Sequence, residues 1–191
     1  IAPGYRADLL FLPDLKTFKP DFVLKNGKVI VENGKLIAKT EIYDTPSMRG
    51  SVNVKWIEQE DFRINAKSEI VKTIEVIPHQ LVTKTAYSKI KIEDGNAVSN
   101  IDTDTLKICV IERHRATGNV GKGFVKGFNL KSGAIASTVA HDSHNMIVVG
   151  TNDYDMYLAA VELVKSQGGK VVVNNGEVLS KLPLPIAGLM S

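Results

Sequence analysis

One cysteine, Cys109, stands among 191 residues. That excludes a disulfide scaffold and any thiolate zinc site, and its place in an apolar run fits a reducing cytoplasm. No apolar run approaches the ~20 residues that cross a bilayer. There is no dense Lys/Arg cluster. The 24 basic and 21 acidic residues leave a net charge of +3, which argues against a dedicated nucleic-acid binder. The first residues lack the charged-then-apolar pattern of a signal peptide, and they lack a Met. Ile1-Ala2-Pro3-Gly4 reads as the middle of a longer chain.

What is present suits a folded protein. Hydrophobic residues make up 43% and charged residues 24%, enough apolar material for a core and too much for a disordered chain. The pattern predicts an α+β protein in two units. Residues 1–45 read as a small β-unit, with an apolar run at 7–12 and Asn-Gly pairs at 26–27 and 33–34. Asn-Gly readily takes the two positive-φ positions of a type I′ turn, so the pairs predict a β-meander. Too small to hold a core alone, this unit needs a partner sheet. Thr45-Pro46-Ser47-Met48-Arg49-Gly50-Ser51 reads as a linker, and residues 50–191 form the second unit. Val52, Val54 and Trp56 alternate with polar residues as in a half-buried strand. A further strand is predicted at 69–77, with Ile70, Ile74 and Val76 on one face, and more over 81–92 before a turn at Asp94-Gly95-Asn96. Residues 106–111 are apolar on both faces, as in a central strand. Strands at 133–140 and 146–150 precede one strong helix over 153–167. Asn152 is its N-cap, Asp153 and Asp155 face the positive end of its dipole, and Met156, Ala159, Ala160 and Leu163 form its stripe. Gly168-Gly169 stop it, and a hairpin follows through Asn175-Gly176.

Chemistry is sparse. There is no His-x-His, no Pro-Cys-x-x-Cys and no Gly-x-Ser-x-Gly, so a cytidine-deaminase-type zinc site, a nucleophile elbow and a serine triad lack their signatures. Three of the four histidines fall in two motifs. In Glu112-Arg113-His114 strand alternation puts Glu112 and His114 on one face, where an acid and an imidazole could share a metal or a proton. A salt-bridged strand end beside Arg113 or Arg115 is the plainer alternative. In His141-Asp142-Ser143-His144-Asn145 the polar residues could bond their own turn, or the histidines could hold a metal or a substrate. The glycine-rich 117–127 superficially resembles a phosphate cradle but lacks the Gly-Lys-Ser/Thr ending. It reads as a flexible or tightly turned loop beside a binding site.

Two stretches point to one family. Pro3-Gly4-Tyr5-Arg6-Ala7-Asp8-Leu9-Leu10 with Asn26-Gly27-Lys28-Val29 resembles the small β-sandwich of metal-dependent amidohydrolases. The segments 111–119, 133–137, 140–145, 148–153 and Leu182-Pro183-Leu184-Pro185-Ile186-Ala187-Gly188-Leu189-Met190-Ser191 resemble the C-terminal portion of the adenine deaminase family. The resemblance implies a short β-sandwich segment (1–45) followed by a mixed α/β C-terminal domain (50–191), with the catalytic (β/α)₈ barrel outside this chain. It implies hydrolysis of adenine to hypoxanthine and ammonia in purine salvage, in a cytoplasmic homo-oligomer that binds neither nucleic acid nor membrane. It also implies a binuclear Mn or Fe site whose ligands lie upstream, with none in these residues, so that the chain alone is inactive. On this reading His141, His144, Glu112 and His114 are accessory catalytic residues. Asp142, Ser143, Asn145 and Asn119 contact the substrate. A purely structural or oligomerisation domain and a free-standing purine-binding module are the competing expectations.

Overall fold

The computed structural model describes residues 2–39 and 46–191, so residues 1 and 40–45 of the expected first unit, the last of them also the start of the expected linker, lie outside the described residues. The chain divides into two compact units, Ile1–Asp44 and Thr45–Ser191. It is mostly sheet with a single α-helix among the described residues, α+β in class, and its sheets are open and not closed into a barrel.

In the first unit β1 (Leu9–Phe11), β2 (Phe22–Lys25), β3 (Lys28–Glu32) and β4 (Lys35–Leu36) form one antiparallel sheet in chain order. Asn26 and Gly27 (φ 51° and 76°), then Asn33 and Gly34 (φ 50° and 72°), make the connecting turns. Asp8 ties the first of these, accepting the Asn26 N–H at 2.7 Å beside the Lys25 ammonium. Phe11 and Phe22 meet edge to face across β1 and β2. A sandwich needs a second sheet, and the described residues of this unit supply one only, with no fully buried side chain.

The second unit is built on an eight-stranded sheet. Its strands are β5 (Ile70–Val76), β6 (Thr83–Lys89), β9 (Thr105–Ile111), β10 (Val120–Lys126), β11 (Ala134–Ser137), β12 (Met146–Gly150), β13 (Gly169–Asn174) and β14 (Glu177–Pro183). The order is β14-β13-β11-β12-β9-β10-β5-β6, antiparallel except where β10 runs parallel to β5. A separate hairpin of β7 (Lys91–Glu93) and β8 (Asn96–Val98) turns at Asp94-Gly95. Helix α1 (Asp153–Lys165) lies on one face of the large sheet. Its Met156, Ala159, Ala160 and Leu163 are fully buried against Cys109, Ile111, Ala136, Met146 and Val148, and Phe62 closes the cluster. Burying each large side chain of this set contributes about 1.5–3 kcal/mol. Alternate residues of β9 serve the other face, where Leu106 packs with Val125 and Val149. Burial pushes the Cys109 thiol up to about 12, which makes it an inert core residue. No helix among the described residues is long and apolar enough to cross a membrane.

The acidic first turn of α1 has specific partners. Asn152 Oδ1 accepts the Asp155 N–H at 2.8 Å, and the buried Asp155 carboxylate accepts the N–H groups of Asn175 and Gly176, locking the helix to the β13–β14 turn. Asp153 accepts from the buried Lys107 of β9 at 2.6 Å.

Three expectations fail. Residues 52–56 form no strand: Asn53 makes two backbone bonds, to Arg113 and Ala116, and Trp56 is exposed. On β5 Ile70 and Ile74 are exposed, only Val76 of that face packs against the Leu106 cluster, and Val71 and Thr73 turn inward. The glycine-rich segment is a loop at 117–119, but Gly121 and Gly123 lie within β10 opposite Val110 and Ile108.

Candidate functional site

Both histidine motifs leave the large sheet at the same end. Ile111, the last residue of β9, lies opposite Val120 of β10 and Met146 of β12, so 112–119 and 138–145 emerge side by side. The C-terminal residues join them there. Buried Thr138 donates from Oγ1 to the Gly188 carbonyl at 2.6 Å, and its Oγ1 accepts the Gly169 N–H at 2.8 Å.

Glu112 does not share a proton with the His114 ring. One carboxylate oxygen accepts the backbone N–H groups of His114 and Arg115, and the other accepts the N–H and hydroxyl of Thr117 at 3.0 Å. The plainer alternative also fails, since Glu112 has no ion pair among the described residues and spends itself on backbone donors. The Thr117 N–H above all, then those of Arg115 and His114, hold its carboxyl down at about 2. A carboxylate that acidic organises a loop and is a poor proton carrier at neutral pH. Its folded pKa lies below the ordinary value of 4.5, so its contribution to stability is full above that value and is lost as pH falls through about 2. Glu112→Gln should therefore lower the melting temperature at pH 7, because the amide NH₂ would face donors. The gap to the parent should close as the pH is taken from about 4.5 toward about 2. A gap that stays constant across that window would show that the carboxylate is not the source.

The other motif residues come together as a rim. His114 lies with Nε2 2.9 Å from the Ser143 carbonyl oxygen, to which the Nε2–H tautomer donates. The His141 and His144 rings sit 5.0 Å apart at 62°. His144 adopts φ 49° and donates its N–H to the Ala140 carbonyl. His141, Asp142 and Ser143 are exposed. Asn145 donates its N–H to Ser143 Oγ at 3.4 Å. Asn119 is exposed and joins only through its backbone, its carbonyl accepting the Glu112 N–H. Two side-chain atoms here are buried and have no hydrogen-bond partner among the described residues, His144 Nδ1 and Asn145 Oδ1.

Arg113 is the residue that the motif reading passed over. It is 1% exposed, and its guanidinium donates to the carbonyls of His144, Ser51 and Ala187. Its signal was strand parity, since Lys107, Cys109, Ile111 and Arg113 are alternate residues and all are buried.

No group of three or more His, Cys, Asp or Glu among the described residues is arranged to hold a metal ion. An apolar groove of about 390 Å³ lies on the sheet face away from α1, lined by residues including Phe128, Ile135, Ile147 and Val172, and none of the histidines lines it.

The sequence model of the family described as adenine deaminase C-terminal domain matches residues 80–191. Adenine deaminase 2 of Carboxydothermus hydrogenoformans is 49% identical over 191 residues, which are the whole of this chain and 34% of that protein. The adenine deaminase of Dehalococcoides mccartyi (strain ATCC BAA-2266) is 44% identical, again over the whole chain and 34% of the relative. That of Halalkalibacterium halodurans is 46% identical over 194 residues, the whole chain and 33% of the relative. The chain thus spans about a third of the length of the curated relatives it matches, in their C-terminal region.

Proposed function

Because this chain belongs to the adenine deaminase C-terminal domain family, we propose that it is the C-terminal region of an enzyme that converts adenine and water to hypoxanthine and ammonia. On this reading a binuclear Mn or Fe site in the remainder of the longer protein supplies the activated water, and the present chain supplies a wall over it. The parent enzyme acts in purine salvage as a cytoplasmic homo-oligomer. The observation that carries the reading is the histidine rim. Three of the chain's four histidines meet there, and two buried polar atoms of the rim, His144 Nδ1 and Asn145 Oδ1, have no hydrogen-bond partner among the described residues.

Adenine offers ring-nitrogen acceptors and an amino donor. Asp142 and Asn145 suit the donor, Ser143 and Asn119 suit the acceptors, and an imidazole can accept a proton at one ring nitrogen and donate from the other. His141, His144 and His114 are the candidates for that exchange. Glu112 orders the loop that carries His114. The second reading, a structural or oligomerisation domain, is favoured by the use of Glu112 and Arg113 on nearby backbone and hydroxyl groups. A free-standing purine module has less support, since the histidines line an open rim.

The test is His141→Ala and His144→Ala in the full-length enzyme, with kcat, KM and melting temperature measured separately. A general acid or base contributes about 10²–10⁴-fold, so kcat/KM for adenine should fall by about 10² at one of the two positions while the melting temperature barely moves. The 191-residue chain alone should release no ammonia from adenine. If turnover per folded molecule is unchanged and only stability falls, the rim is structural.

A further inference from the structure

We propose that Arg113 is the positioning residue of the histidine rim, holding the 141–145 loop in register with the last turn of the chain. This rests on the reading of that rim as part of the deaminase site. Arg113 reaches three segments that lie far away in sequence. Nε donates to the His144 carbonyl, Nη1 to the Ser51 carbonyl at 3.1 Å, and Nη2 to the Ala187 carbonyl at 3.1 Å, across 31, 62 and 74 residues. All of its partners are neutral, three carbonyls and the Ser51 hydroxyl at 3.5 Å, and Arg113 has no ion pair among the described residues. Apolar residues fill the last two inward positions of β9, Cys109 and Ile111, just before it. A desolvated cation without a counter-ion is an expensive way to fill a core position. What it adds is direction, since the planar fork fixes several acceptors at set angles.

The directions matter because of which carbonyls they reach. Arg113 binds the carbonyl of His144, and the next residue, His114, binds that of Ser143. Two successive side chains thus grip two successive peptide groups of the loop. The His144 peptide is held at φ 49°, a conformation a β-carbon disfavours. The orientation of the His144 ring, and of Asn145 after it, follows from that peptide. From the other side the guanidinium lies close against Gly188, where an added Cβ would stand 2.7 Å from Nη1 and 3.0 Å from Cζ. Gly188 keeps the C-terminal turn close enough for Ala187 to accept. The loop and the C-terminal turn are therefore set by one planar group.

The experiment uses the full-length enzyme with Arg113→Met, Arg113→Lys and Gly188→Ala, and with Thr138→Val as a structural control. Thr138 anchors the same C-terminal turn through Gly188 without bonding to 141–145. A displacement of about 1 Å at a reacting group can cost roughly 10²-fold, so Arg113→Met should lower kcat/KM for adenine by about that factor. Arg113→Lys should recover part of the loss, because an ammonium can bind one carbonyl in place of three, and it reports even where the Met variant does not fold. Gly188→Ala should share the kinetic defect. Thr138→Val should lower the melting temperature while kcat/KM stays near the parent value. Loss of kcat/KM by Thr138→Val equal to that by Arg113→Lys would overturn the proposal, as would parental kinetics in both Arg113 variants. The two readings fail separately. If His141→Ala and His144→Ala leave kcat/KM untouched, the rim itself is not in the site. If they lower it and the Arg113 variants do not, only the positioning role is lost.

Discussion

Gly169→Ala is expected to unfold the 45–191 unit at temperatures where the parent is fully native. Gly169 opens β13 at φ 136°, a region that residues with a β-carbon rarely enter. A Cβ there would stand 2.0 Å from the Leu182 carbonyl oxygen and 3.2 Å from the Leu184 nitrogen. Both obstacles are backbone, so no side-chain rotation relieves them. The alternatives are parting β13 from β14 or breaking the bond between the Gly169 N–H and Thr138. Strained backbone costs about 1–3 kcal/mol and overpacking about 1–3 kcal/mol more, a large share of a typical 5–15 kcal/mol. Gly95→Ala is the comparison. It has φ 76° with nothing within 4 Å of the added carbon, so it bears the conformational cost of about 1 kcal/mol alone. Urea melts of the two variants read the difference. Equal midpoints would mean that the close approach to β14 does not matter.

A second large effect is expected at the Lys107–Asp153 pair, and it should be lopsided. Lys107 is 1% exposed in the middle of the sheet, while the Asp153 side chain keeps 20% of its surface. Lys107 Nζ donates to Asp153 Oδ1 at 2.6 Å and to the Phe62 carbonyl at 3.2 Å. Asp153→Ala leaves a buried ammonium with one neutral acceptor, and stranding a buried charge costs about 3–5 kcal/mol, toward the low end here because Asp153 is partly solvated. Lys107→Met removes the buried charge itself. Asp153 then stays at the first turn of α1, where water and the helix dipole support it, so the loss is about 1 kcal/mol. The check is a pair of denaturant titrations plus the double variant, which should lie nearer Lys107→Met than the sum of the two. If Lys107→Met proves the more damaging, the ammonium is contributing packing and not merely a charge to be neutralised.

Much of this fold was legible because the informative residues act locally. The α1 stripe of Met156, Ala159, Ala160 and Leu163 has one consistent period, and the Asn-Gly pairs carry their own turn geometry. Residues 106–111 read as central because both faces are apolar, and β9 does lie between β12 and β10. The failures share a cause, which is that partners far away in sequence decided them. Gly121 and Gly123 have little intrinsic preference for a strand and become one by pairing with β9. Ile70 and Ile74 look like a core face, yet the parallel neighbour across Thr73 and Phe124 sets which side is covered. At the rim, residue types disclosed the histidines but not the partners of their neighbours. Glu112 looked like half of an acid–imidazole pair because its real partners are backbone N–H groups, which every residue but proline carries and no motif records. Arg113 was hidden for the mirror-image reason, as its partners are carbonyls.

The strand order also sets where this sheet opens first. From β9 onward each strand finds a neighbour supplied within the same C-terminal stretch, and α1 covers β11, β12 and β13. The β5–β6 hairpin has no such cover. It joins through the parallel β5–β10 seam, closing a loop of about fifty residues that must be ordered before the seam adds stability. Beyond it β6 is an edge strand with six of seven residues exposed or half-exposed. Local opening should therefore peel the sheet from the β6 side, with amide exchange fast in β5 and β6 and slow in β9 and β12. The histidine rim is rooted in β9 and β12, the slow half. A histidine there keeps its place through the fluctuations that fray the far edge.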